Sequence, residues 1–138
     1  KVRDPKSGVD TTSPLPEEHG VFHEQVRPIL EQHCASCHSE SSPEAGLPLG
    51  GHISSSAIVK GLVGVQTMHG GQFKRVVARS AMQSWLYLKA SGTAASAGCT
   101  GSMCNAQVMP PTGQVTLTSQ ELGSLQKWID DGAAAPTP

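Results

Sequence analysis

Residues 34–38 read Cys34-Ala35-Ser36-Cys37-His38, and this spacing constrains the chain more than any other feature. Two thiols three positions apart can each add to one vinyl group of a porphyrin edge. The histidine directly after them then sits where its imidazole can bind the iron. The motif predicts one covalently attached c-type haem, with Cys34 and Cys37 as the attachment points and His38 as the proximal ligand. Two other chemistries use a Cys-x-x-Cys pair. A four-cysteine zinc site would take Cys99 and Cys104 as its second half, but their spacing is looser than a zinc knuckle and zinc gives His38 no role. A thioredoxin-like dithiol should follow a strand in a βαβ unit, whereas here a helical pattern precedes the motif.

Composition agrees with a cofactor-filled interior. Hydrophobic residues make up 37% of the 138-residue chain and aromatics only 4%, which leaves little bulky material for a core. A haem is a large apolar plate that would supply it. Fifteen Gly and ten Pro indicate long loops between short elements. The formal net charge of −1 offers no footprint for nucleic acid. No apolar run is long enough to span a bilayer. There is no signal peptide, and a start at Lys1 fits a processed or trimmed chain.

Residues 1–20 carry Pro5, Pro14 and Pro16 with unpatterned charge, and are expected to form a flexible tether to an upstream lipid anchor or fused domain. An arm wrapped on the surface is the alternative. Residues 21–135 form the predicted domain and 136–138 a tail. Phe22, Val26, Ile29 and Leu30 share one helix face, with Pro28 predicted to kink it. This helix delivers the chain to Cys34. At the other end, Thr118-Ser119-Gln120-Glu121 reads as a capping box, followed by an apolar stripe of Leu122, Leu125, Trp128 and Ile129, with Gly132 as the stop. The two terminal helices are expected to bury their stripes against each other. A middle helix is predicted from Ser80 to about Ala90, opened by a second capping box at Ser80-Ala81-Met82-Gln83, and a weaker turn over Ser55–Leu62. No convincing strand appears, so the fold class is all-α.

At these residues the chain resembles the monohaem class I cytochromes c, most closely the planctomycete-type cytochrome c domain. The resemblance rests on Val26-Arg27-Pro28-Ile29-Leu30, Cys34-Ala35-Ser36-Cys37-His38, Gly46-Leu47-Pro48-Leu49, Ser84-Trp85-Leu86-Tyr87-Leu88-Lys89, Met109-Pro110-Pro111, Leu117-Thr118, Glu121-Leu122 and Trp128 to Ala133. It covers about Val21 to Ala134, and departs from the family pattern around residues 60–78 and 91–108. It implies the class I cytochrome c fold: crossing terminal helices, a middle helix and long loops around one covalent haem.

The resemblance also implies Met109 as the sixth ligand, giving an iron held by His38 and Met109. Pro110 and Pro111 add a physical case, because they stiffen the loop that would hold the thioether. Met68 and His69 in a glycine-rich loop are the competitors. Met82 is expected in the core, and Met103 exposed. His19, His23, His33 and His52 are expected at the surface, with His33, one position before the motif, near the haem edge. Haem attachment of this kind occurs outside the cytoplasm, where disulfides persist, so a Cys99–Cys104 bridge is the default expectation. Lys74, Arg75 and Arg79 are candidates to neutralise haem propionates, or else form a solvated basic loop. Trp85 or Tyr87 is a candidate to line the haem pocket.

Two functions compete. A His/Met-closed iron predicts electron transfer, without a catalytic residue, as a periplasmic or otherwise extracytoplasmic carrier or domain of a larger redox assembly. A redox partner protein would dock at the exposed haem edge through a small interface. An open or weakly held sixth position, with His69 and Gln72 nearby, predicts gas binding or peroxide reduction instead.

Overall fold

Pro28 has no N–H to donate, and its ring crowds the carbonyl four residues earlier. In the computed structural model, which describes residues 17–34, 49–51, 53–67, 70–99 and 117–138, the chain widens there into a π-turn at Phe22–Val26. The Arg27 amide donates to the Phe22 carbonyl across this turn, five residues back. Helix α1 (Arg27–His33) continues from it with Pro28 in its first turn. The expected kink is thus a π-turn joined to a short helix. Phe22, Val26, Ile29 and Leu30 are all buried, as their shared face predicts.

Helix α2 (Ser55–Lys60) is capped by the Ser54 hydroxyl, which accepts from the Ala57 amide at 3.1 Å. Its first amides find a second acceptor in Glu18, whose carboxylate takes Ser55 N at 2.8 Å and Ser56 N at 2.9 Å. Glu18 is 7% exposed, and His19 exchanges two backbone bonds with Thr137. Residues 17–20 are therefore held against the body of the protein, and Thr137 with them.

The middle helix begins later than the sequence suggests. A 3-10 turn covers Ala81–Gln83, Ser84 is extended, and α3 (Trp85–Ser91) follows. Ser84 breaks the run because its hydroxyl bonds backward, donating to the Ser80 carbonyl at 2.8 Å and accepting the Val77 amide at 2.8 Å. The expected box at Ser80 does not form: the Gln83 amide it would need donates to the Ser80 backbone carbonyl at 3.2 Å, and the Ala81 amide donates to Asp130 Oδ1 at 2.8 Å, from the far end of the chain. Helix α3 has no side-chain cap either. Its first two amides donate to the carbonyls of Lys74 and Arg75 at 2.9 and 3.0 Å. Met82, expected in the core, is 63% exposed, because the 3-10 turn points it away from the helix face.

Helix α4 (Ser119–Asp130) opens with the complete capping box between Thr118 and Glu121. Gly132 lies just past its end at φ 122°, a conformation that favours glycine. Leu125, Trp128 and Ile129 are buried against Phe22, Val26 and Leu30, and the Phe22 and Trp128 rings lie 4.8 Å apart. Leu49, Ile58, Leu62 and Val76 complete this core. A smaller cluster gathers Trp85, Leu88 and Ala94, with Phe73 stacked on Trp85 at 5.3 Å. Among the described residues the fold is helical, with isolated bridges and no extended strand, and no helix is long and apolar enough to cross a membrane.

Two glycines test this packing in opposite directions. A Cβ on Gly70 would lie 2.8 and 2.9 Å from Trp85 ring atoms and 2.6 Å from Thr67 Oγ1, so Gly70→Ala should destabilise by about 1–3 kcal/mol in denaturant melts. Gly123 sits in α4 with open space around its Cβ position, and Gly123→Ala should stabilise by about 1 kcal/mol.

Candidate functional site

Cys34 is the first residue of the haem motif and the C-cap of α1, where its amide donates to the Leu30 carbonyl at 2.8 Å. It is half-buried and packs against the main core. Leu49, 1% exposed, is buried in that same core, so the described residues on either side of the Cys37–His38 segment share one apolar core. Cys37, His38 and Met109 themselves lie outside the described residues, as do His52, Met68, His69, Met103 and Cys104.

The donor set suits a covalent haem. Two thiols have the spacing of the two vinyl groups, an imidazole follows the second, and Cys34 lies at the rim of the core rather than sealed within it. No group of three His, Cys, Asp or Glu side chains placed to hold a metal ion occurs among the described residues. Cys99 is half-buried beside Trp85, Leu88 and Ala94.

His33, just before the motif, is not a surface histidine. Its side chain is 4% exposed, and Nε2 lies 3.1 and 3.2 Å from the two Glu121 carboxylate oxygens. Glu121 thus serves two elements, closing the capping box of α4 and reaching the end of α1 beside Cys34. The Thr118 amide above all, with His33 and the Thr118 hydroxyl, outweighs burial and holds its carboxyl below the usual value of 4.5. His33 carried no periodic or capping signal, and only the three-dimensional pairing shows its role. His19 is exposed as expected, while His23 is half-buried with Nδ1 2.6 Å from Ser55 Oγ.

The basic residues divide. Arg75 is half-buried and donates to the Gly61 carbonyl at 2.9 Å, with burial lowering its pKa. Lys74 and Arg79 are exposed, Arg79 in a left-handed conformation at φ 74°. Lys89 is buried with its ammonium 5.8 Å from the Trp85 ring centre. Trp85 belongs to the smaller apolar cluster, and the Tyr87 hydroxyl lies 3.4 Å from Gln126 Oε1. Tyr87 packs against the main core, as Cys34 does.

No protein-family model matches the chain, and no curated protein matches it. Among solved structures it is similar to hydrazine synthase of Kuenenia stuttgartiensis, at 22% identity and a TM-score of 0.44. That match covers 81% of this chain, which spans 16% of the hydrazine synthase chain.

The Glu121 geometry predicts an acid-dependent stability. Its folded pKa is depressed, so its contribution is complete above about pH 4.5 and is lost as pH falls through the lower folded value. Glu121→Gln keeps a capping-box partner but loses the charge facing His33. It should cost about 1 kcal/mol at neutral pH and flatten the acid limb of a stability–pH curve, whereas Glu121→Ala should cost about 1–3 kcal/mol.

Proposed function

We propose that this chain is an electron-transfer domain holding one haem c, attached through Cys34 and Cys37, with His38 and Met109 as its axial ligands. The observation that carries the reading is Cys34-Ala35-Ser36-Cys37-His38, begun at the end of a helix whose Leu30 is buried in the core. The haem supplies a one-electron Fe(III)/Fe(II) couple. The chain would supply the rest: the Cys34 and Cys37 thiols for attachment and the His38 imidazole and Met109 thioether as ligands, with Pro110 and Pro111 next to Met109 in the sequence. A closed coordination sphere leaves no position for substrate, so no residue acts as acid, base or nucleophile.

Haem attachment of this kind places the protein outside the cytoplasm, where a transient redox partner docks at the exposed haem edge. In that compartment we assign Cys99 and Cys104 to one bridge. What supports this is that Cys99 lies half-buried beside Trp85 and Leu88, five positions before Cys104 in the sequence. The bridge would close the chain shortly before Met109.

The test is a visible spectrum of the protein produced with haem-attachment machinery, compared with Met109→Ala. The wild-type ferric protein should be low-spin with a weak long-wavelength Met–Fe band, and the ferrous protein should not bind carbon monoxide. Met109→Ala should lose that band and bind carbon monoxide. A high-spin, carbon-monoxide-binding wild type would instead support an open-site haem domain, and a colourless protein would exclude both.

A further inference from the structure

Residues 62–66 and 73–77 are tied together by isolated bridges rather than by a regular strand. The Gly64 amide donates to the Val76 carbonyl at 2.9 Å, the Val76 amide to the Leu62 carbonyl at 3.1 Å, and the Arg75 amide to the Val65 carbonyl at 2.7 Å. The start of α3 joins the same platform through the carbonyls of Lys74 and Arg75. Leu62 and Val76 anchor it in the main core, and Phe73 anchors it in the smaller cluster by stacking on Trp85.

A groove of about 560 Å³ opens on this platform, within the size range of small-ligand sites. Val63, Phe73 and Val77, each half-buried, and the exposed Ala78 give it an apolar lining. Backbone bonds and core packing hold the platform, so the groove is preformed. Its polar lining is sparse. Gln72 is committed to the Gly98 carbonyl at 2.9 Å, whereas the Lys74 ammonium and the Gln83 side-chain amide make no hydrogen bond or ion pair among the described residues.

Nothing nearby in the sequence neutralises Lys74, because no Asp or Glu occurs between Ala45 and Gln120. The acidic residues that follow are engaged elsewhere: Glu121 with His33, Asp130 with the Ala81 amide, and Asp131 with Lys127. The described lining therefore carries one uncompensated positive charge beside apolar walls. A lysine presents a point charge on a flexible stem, which suits a single carboxylate. A phosphate dianion or an acidic protein surface calls for several cations or an arginine fork.

We propose that this groove binds a small amphiphile, its apolar chain against Val63, Phe73 and Val77 and its carboxylate at Lys74 and Gln83. The inference is independent of the haem reading proposed above.

The experiment titrates the full chain as purified with decanoate, decanol and acetate, following the backbone amide resonances. At millimolar concentrations decanoate should give saturable shifts at residues 63–64 and 72–78, decanol should bind there more weakly, and acetate should give no saturable shift. Lys74→Gln should weaken decanoate binding about threefold, the size expected for an exposed ion pair, and leave decanol unchanged. Added salt should weaken decanoate relative to decanol. Lys60→Gln removes the same charge from an exposed residue outside the described lining and should change neither. Ala78→Leu narrows the groove from an exposed position and should weaken both. The inference is overturned if decanoate gives no saturable shift at these residues, if decanol binds as tightly as decanoate, or if Lys60→Gln weakens decanoate as much as Lys74→Gln does. A glutamate-rich peptide that saturates the same amides where decanoate does not would assign the groove to an acidic protein partner and overturn it as well.

Discussion

The contact between Phe22 and Trp128, with ring centres 4.8 Å apart, closes the two ends of the described body onto each other. Val26 and Leu30 on one side and Leu125 and Ile129 on the other extend that contact into a single apolar core. Leu49, Ile58, Leu62 and Val76, from the middle of the chain, are buried in the same core. Near the motif, the His33–Glu121 pair joins the end of α1 to the start of α4. Cys34 thus emerges from a helix anchored along both its apolar and its polar sides. A covalent haem needs that anchoring, since its thioether bonds transmit any movement of the helix to the ring.

Short helices explain why so many ends are satisfied from a distance. Elements of six or seven residues are too short to be stable alone, and each leaves several amides and carbonyls without partners. Glu18 caps α2 from the N-terminal side, Asp130 caps the 3-10 turn before α3, and the carbonyls of Lys74 and Arg75 receive the first amides of α3. Arg27 performs the same task for Gly51 and Ser55. The secondary structure is therefore a consequence of tertiary contacts as much as their cause, and losing one polar junction should loosen two elements together.

Local features were legible from sequence and remote ones were not. The stripes Phe22/Val26/Ile29/Leu30 and Leu122/Leu125/Trp128/Ile129 and the box at Thr118–Glu121 depend on residues within two turns, and the structure reproduces them except at Leu122, which is only half-buried. The box at Ser80 failed because the Gln83 amide bonds the Ser80 carbonyl across the 3-10 turn and because Ser84, four residues on, turns its hydroxyl back onto the backbone. The burial of His33 follows from a distant pairing and the exposure of Met82 from the 3-10 turn, and neither leaves a periodic trace. The candidate site was legible as chemistry, since thiol spacing and an adjacent imidazole form a local pattern. The polar pairing beside Cys34, His33 with Glu121, came from the fold.

The central claim is a covalent bond between this chain and a haem, and intact-mass spectrometry under denaturing conditions tests it most directly. Protein made in a host that attaches haem outside the cytoplasm should keep the mass of one haem after acid and organic solvent have unfolded it. Replacing both Cys34 and Cys37 by Ala should abolish that mass. A wild-type chain that carries the apoprotein mass alone, or that keeps the haem mass without those two cysteines, would contradict the account.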